Sequence, residues 1–256
     1  MTARPVPAGD TDYESTGQGY ESWRRADPSI AAQIHAALGS AQSVLNVGAG
    51  AGSYEPADRY VLAVEPSAAM RARRRVSGAV PAIDASAEAL PLDDDSVDAA
   101  MAVFTVHQWG DLPRGLGELR RVARGPVVIM TLDPDAMGGF WLDDYVPERL
   151  TTDRRRMPTL GALRAGLGGR VEVRPVRIPR ECTDGFVEAF YARPEALLDP
   201  AVRAAQSAWT FVDADAVTQG FARLADDLAD GTWDARHGHW RALPEFVGPL
   251  VLVVAQ

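Results

Sequence analysis

The stretch Val44-Leu45-Asn46-Val47-Gly48-Ala49-Gly50-Ala51-Gly52-Ser53-Tyr54 runs an apolar segment straight into a G-x-G-x-G turn. Three glycines at that spacing permit positive φ angles and close approach of backbone N–H groups to a ligand. The next apolar segment, Val61-Leu62-Ala63-Val64, ends in Glu65, 17 residues after Gly48. At the carboxyl end of a second parallel strand, that carboxylate can accept both hydroxyl protons of a ribose. Turn and acid together predict a nucleoside site on a doubly wound sheet.

The rest of the chain supports such a sheet. Asp27-Pro28-Ser29 opens a helix, with Asp27 as cap and Ile30, Ile34 and Leu38 as its apolar stripe until Gly39 stops it. Short apolar segments at 44–48, 60–65, 79–83, 97–104 and 126–132 alternate with helical patterns near 67–76 and 111–123, the signature of βαβ units. Two later segments, 171–178 and 249–254, read as the last strands. Between them lie about 70 residues of mostly helical pattern, too long for a plain connection and therefore read as a cap. The expected fold is α/β: a Rossmann-like, doubly wound, mostly parallel seven-stranded sheet with a helical cap or lid. The expected divisions are a tail and lid over 1–28, a core over 29–178, a cap insertion over 179–247 and a final core strand over 248–256.

With 26 basic against 35 acidic residues, the net charge is −9, which argues against a nucleic-acid partner that needs a basic face. One cysteine, Cys182, excludes an internal disulfide and fits a reducing compartment. No apolar run nears the roughly 18 residues that span a bilayer, so no membrane partner and a cytoplasmic location are expected.

The glycine turn separates two ligand classes. A dinucleotide fingerprint wants its third glycine where this chain has Ser53, so the tighter turn suits a ligand without a pyrophosphate. Here the chain resembles the class I S-adenosylmethionine-dependent methyltransferases of small-molecule type. Val44 to Ser53 is similar to the family's glycine motif and Val61 to Pro66 to its ribose-binding acid motif. Ala85 to Asp98 is similar to the loop near the adenine and the strand after it. Phe104-Thr105-Val106-His107-Gln108-Trp109 resembles the segment that follows the fourth strand. The resemblance covers about residues 13–132, and beyond that only topology.

The resemblance implies S-adenosyl-L-methionine as cofactor, S-adenosyl-L-homocysteine as product, and no metal. Gly48, Ala49, Gly50 and Gly52 would hold the methionine part, with Asn46 standing where relatives carry Asp. Glu65 and Pro66 would hold the ribose. Ser86, where many relatives have Asp, would border the adenine with Ala87 and Glu88, and Phe104 would flank the cofactor. The N-terminal spacing Tyr20-x-x-x-Arg24 resembles a lid segment whose phenol and guanidinium reach the methionine carboxylate; a solvated helix is the plainer reading. The helix-to-strand turn Arg124-Gly125-Pro126 lacks the common Pro-Gly-Gly and reads as a shorter loop.

His107, at the carboxyl edge of the fourth strand, is the candidate general base, with packing or loop support as the alternative. Tyr13, His107, Trp109, Phe140, Trp141 and Tyr145 are the candidate acceptor-binding residues. The rings of 140–145 either wall that pocket or anchor the cap to the core. Arg71 to Arg75 and Arg154-Arg155-Arg156 read as solvated helix faces, and His237-Gly238-His239 as a surface turn without a third metal ligand. The expected activity is methyl transfer to O, N or C of a small, hydrophobic metabolite of secondary metabolism, by a monomer or homodimer. A methyltransferase-like binder with a non-methylating role, such as a cyclase or sensor, is the alternative.

Overall fold

The computed structural model describes residues 23–256. The described part opens with helix α1 (Pro28–Ala37), capped as its sequence requires: the Asp27 carboxylate accepts from the backbone N–H of Ser29 and Ile30, at 2.9 and 3.2 Å. Then follow β1 (Ser43–Val47), β2 (Tyr60–Val64), α2 (Ala68–Ser77), β3 (Ala82–Ile83), β4 (Ala99–Val103), α3 (Leu112–Val122) and β5 (Val127–Leu132). Helices α4 (Pro147–Arg156) and α5 (Leu160–Leu167) lead to β6 (Val171–Pro179), and the chain closes with β7 (Glu245–Ala255).

The seven strands form one sheet in the order β3-β2-β1-β4-β5-β7-β6. The first five strands pair in parallel, whereas β7 lies antiparallel between β5 and β6. Strand order reverses between β1 and β4, and in such sheets ligands lie beyond the carboxyl ends at that switch point.

Period-two alternation sends side chains to both faces. Val44, Met101, Val128, Met130 and Leu252 join one apolar cluster with α1, while Leu45, Ala100, Val127, Ile129 and Val253 join a second cluster with α3 and α5. Residues 180–244 contain short 3₁₀ turns and helices α6 (Pro200–Ala204), α7 (Ala214–Asp230), α8 (Thr232–His237) and α9 (His239–Ala242). They have no separate core: Phe186, Phe190, Tyr191, Leu197 and Trp233 belong to the same cluster as α1 and β5. Strand β7 begins at Glu245, ahead of the expected boundary at 248, because its first residues pair with the end of β6.

Candidate active site

The glycine turn is built inward from its own backbone. Gly48, Gly50 and Gly52 have φ of +66°, +49° and +101°, values that disfavour side chains. The Gly48 and Ala49 N–H groups donate to the Val64 carbonyl at 2.9 and 3.0 Å, and Gly50 N–H donates to Glu65 Oε2 at 2.8 Å. The expectation that these amides face a ligand is therefore corrected. They fasten the turn to β2, and the glycines supply room. A Cβ on Gly48 would stand 2.0 Å from Thr105 Oγ1, whereas one on Gly50 would meet nothing within 4 Å.

Glu65 is buried at the tip of β2. Its Oε1 accepts from Ser67 N–H at 2.8 Å, so each oxygen holds one backbone donor and keeps acceptor capacity for another. Beneath the turn lies Arg74, fully buried rather than on the expected solvated face. Its guanidinium reaches the carbonyls of Ala49, Gly50 and Val80 and pairs with Glu55 at 2.9 Å. Glu55 also accepts from Asn46 Nδ2 at 2.9 Å. That bond fixes the Asn46 amide, leaving its buried Oδ1 with no partner among the described residues.

The turn, Asn46 and Glu65 line one cleft of about 770 Å³. From the expected cofactor set it is bordered by Arg24, Asn46, Gly48, Ala49, Gly50, Glu65, Pro66, Ser86, Ala87, Glu88 and Phe104. Gly52 lies behind, packed toward Ala79, Arg74 and Glu55. Tyr13 and Tyr20 lie outside the described residues. Glu88 Oε1 accepts from the N–H groups of Gly110 and Asp111 at 2.9 and 3.2 Å, tying the candidate adenine loop to the loop after β4. Phe104 holds φ +51°, a strained value for a ring-bearing residue, where β4 gives way to the cleft.

Three distant segments meet at Asp184. It accepts from Arg24 Nε and from the Tyr54 hydroxyl, each at 2.7 Å, joining the N-terminal segment, the glycine turn and the insertion. Burial and the adjacent Asp184 carboxylate raise the Tyr54 phenol, which stays protonated and donating.

His107 and Trp109 also line the cleft. Burial, then the Arg156 and Arg24 guanidiniums, push His107 down to about 3, so the ring is neutral at physiological pH. The Gln108 amide nitrogen lies 3.4 Å from Nε2; donation there assigns the ring proton to Nδ1, which has no partner among the described residues. This environment runs against the general-base role expected for His107, because a base must hold the proton it takes.

Phe140, Trp141 and Tyr145 are not brought to the cleft. Trp141 is buried edge-on against Trp233 at 5.6 Å and donates to the Tyr191 carbonyl at 3.0 Å. Phe140 packs on Trp240, and the Tyr145 hydroxyl donates to Asp227 at 2.7 Å. They pin the insertion to the core, so the correction is one of place: their rings face later helices.

The opposite wall contains residues that the sequence reading passed over. On α4, Arg149, Asp153 and Arg156 recur at intervals of four and three, on one face turned to the cleft. Arg149 is buried and pairs with Asp153 at 2.9 Å and Glu188 at 3.4 Å. Burial lifts the Asp153 carboxyl to about 6 despite the opposing pull of Arg149. Of the arginine run, Arg154 and Arg155 are exposed as expected, but Arg156 borders the cleft and stacks 3.9 Å over the Phe211 ring. The i,i+4 spacing of Arg149 and Asp153 was the available signal. Cys182 is buried, and burial pushes its thiol to about 12. His237 lies 3.2 Å from Asp144. No group of three potential metal ligands and no helix able to cross a membrane occurs among the described residues.

A nucleoside cradle at the switch point of a 3-2-1-4-5-7-6 sheet defines a Rossmann-like binding protein with a ligand cleft. A methyltransferase domain model matches residues 45–129. The solved structure of a protein assigned as a methyltransferase from an antibiotic biosynthesis pathway of Anabaena variabilis is 30% identical with a TM-score of 0.82, covering 91% of this chain and 98% of that one. A SAM-dependent methyltransferase from Thermotoga maritima (23% identical, TM-score 0.50, 62% of this chain and 80% of that one) and the YcgJ protein of Bacillus subtilis (17%, 0.51, 88% and 96%) share the fold. No curated protein matches. The chain belongs to the class I, Rossmann-like SAM-dependent methyltransferases.

Proposed function

We propose that the chain transfers the methyl group of S-adenosylmethionine to an oxygen, nitrogen or carbon of a small, largely hydrophobic metabolite. The observation that carries this reading is the continuity of the cleft. One cavity extends from the glycine turn and Glu65 to a wall of Phe104, Leu132, Met157, Phe186 and Val187. Bound S-adenosylmethionine would supply a methyl on a sulfonium, whose sulfur leaves as a neutral thioether without an acid, and the proton displaced from the acceptor passes to water.

The chain's own residues then bind, orient and exclude water. Asn46 Oδ1 accepts from the methionine ammonium, Arg24 meets its carboxylate, Glu65 takes the ribose hydroxyls, and Ser86, Ala87 and Glu88 border the adenine. Residues 180–244, between β6 and β7, act as a cap over the acceptor end and residues 1–28 as a lid. His107 orients the acceptor through Nδ1–H. Alignment and water exclusion account for most of the acceleration, since intramolecular positioning alone is worth about 7–11 kcal/mol in favourable cases. The antibiotic-pathway relative supports a role in secondary metabolism, and a lone, buried cysteine fits action in the cytoplasm.

Incubation with methyl-labelled S-adenosylmethionine and a library of small aromatic and aliphatic metabolites should give a labelled, organic-extractable product and one S-adenosylhomocysteine per label. S-adenosylmethionine that binds but yields no labelled small molecule across the library would contradict the reading.

A further inference from the structure

Asp184 belongs to the insertion, yet both side chains it holds face the cofactor cleft. Its Oδ1 accepts from Arg24 Nε and its Oδ2 from the Tyr54 hydroxyl, each at 2.7 Å, while Gly185 N–H donates to Oδ1 at 2.8 Å. One carboxylate thus sets the Arg24 guanidinium beside the residue that follows the glycine turn. Arg24 and Tyr54 both border the cleft, and the Arg24 guanidinium carbon lies 5.6 Å over the Phe104 ring of the same wall. Asp184 itself is buried behind that wall.

The segment that carries Asp184 is pinned from both sides. Arg24 and Asp184 form an antiparallel bridge, and Thr183 N–H donates to Asp27 Oδ2 at 3.0 Å, so the carboxylate that caps α1 holds the insertion as well. From within the insertion, Arg193 donates to the Cys182 carbonyl at 2.7 Å. A Cβ on Gly185 would stand 2.6 Å from the Trp23 carbonyl oxygen, an approach that only glycine permits. A long arginine side chain loses rotamer freedom when it clamps a ligand, and a partner that holds it beforehand removes that loss from binding. Its five N–H donors in one plane are enough to serve two carboxylates.

We propose that Asp184 is a positioning residue for cofactor binding: it fixes Arg24 where the guanidinium meets the methionine carboxylate. This rests on the S-adenosylmethionine reading and gives the insertion a part in cofactor recognition. Placement and charge predict opposite signs here. The Asp184 charge alone repels the cofactor carboxylate, so its removal tightens binding if charge dominates and weakens binding if placement does.

Calorimetry with S-adenosylhomocysteine and with 5′-methylthioadenosine, which keeps the nucleoside and the thioether but lacks the amino-acid group, separates placement from general loosening. Arg24→Ala should weaken S-adenosylhomocysteine binding by about tenfold, the worth of a charge-assisted hydrogen bond, and methylthioadenosine binding by less than about twofold. Asp184→Asn should weaken S-adenosylhomocysteine about fivefold, again sparing methylthioadenosine, and should add less than about twofold to Arg24→Ala in the double variant, because its effect passes through Arg24. Tyr54→Phe removes one tether of Asp184 and should cost S-adenosylhomocysteine about two- to fourfold with methylthioadenosine unchanged, so the test stands where Asp184→Asn fails to fold. Unchanged or tighter S-adenosylhomocysteine binding in Asp184→Asn, or in Tyr54→Phe where that variant stands in for it, overturns the proposal. Equal weakening of both ligands, or losses that multiply in the double variant, overturns it too. An unchanged ratio of the two affinities in Arg24→Ala overturns it together with the carboxylate assignment. No S-adenosylhomocysteine binding by the unmutated protein overturns the reading beneath it.

Discussion

The two ends of the cleft are built differently. At the cofactor end, most of the lining comes from one stretch, 46–88, and is tied together locally, with Asn46 Oδ1 left over: Glu65 holds Gly50 and Ser67, and Arg74 holds the turn from below. At the acceptor end, the lining comes from positions as far apart as His107, Asp153, Glu188 and Gln206, and it carries buried charge and unused hydrogen-bonding atoms. Local closure makes the first end a rigid cradle that tolerates little change. The second is open to variation, which suits a family that keeps its cofactor and changes its acceptor.

The contrast is sharpest where a buried charge supports the cradle. Arg74→Met should destabilise the protein by about 3–5 kcal/mol in denaturant unfolding, because Glu55 and the turn carbonyls lose the buried cation that pairs with them. A loss below about 1 kcal/mol would break the picture of a self-satisfied cradle.

His107 gives the acceptor end a pH signature. Its folded value of about 3 lies below the ordinary 6.5, so the unfolded chain binds more protons between these values and stability rises with pH across that window. Asp153, raised from 3.8 to about 6, has the opposite slope between those values, where the folded state binds more protons. His107→Asn should therefore remove a rise of about 2 kcal/mol between pH 4 and 6 relative to the unmutated protein. Denaturant melts across that range check it, and an unchanged slope would place His107 in a wetter site.

At the cofactor end, Glu65→Ala should weaken S-adenosylhomocysteine binding by about 1–3 kcal/mol, measured calorimetrically. Unchanged affinity would put the ribose elsewhere. The smallest effect is expected at Gly50, where a Cβ meets no atom: Gly50→Ala should cost about 1 kcal/mol in stability through its φ of +49°. Gly48→Ala, driven into Thr105, should cost clearly more in the same assay.

What could be read from the sequence follows the same division. The glycine turn, Glu65, the Asp27 cap and the strand alternation are local patterns, and all lie where local rules put them. Arg74 was misread because a run of arginines on a helix looks solvated, and only the fold shows one of them turning under the turn. The rings of 140–145 announced burial without saying against what, and their partners, Tyr191, Trp233 and Trp240, lie some 50 to 100 residues onward. Arg149 and Asp153 show their spacing in the sequence, but Glu188 and the cavity beside them are tertiary facts.

Calorimetric titration with S-adenosylhomocysteine and, in parallel, NADH tests the central claim most directly. The account predicts saturable one-to-one binding of S-adenosylhomocysteine and no heat from NADH, since Ser53 and the self-bonded turn leave no seat for a pyrophosphate. Tight NADH binding with no response to the sulfur ligand would contradict it.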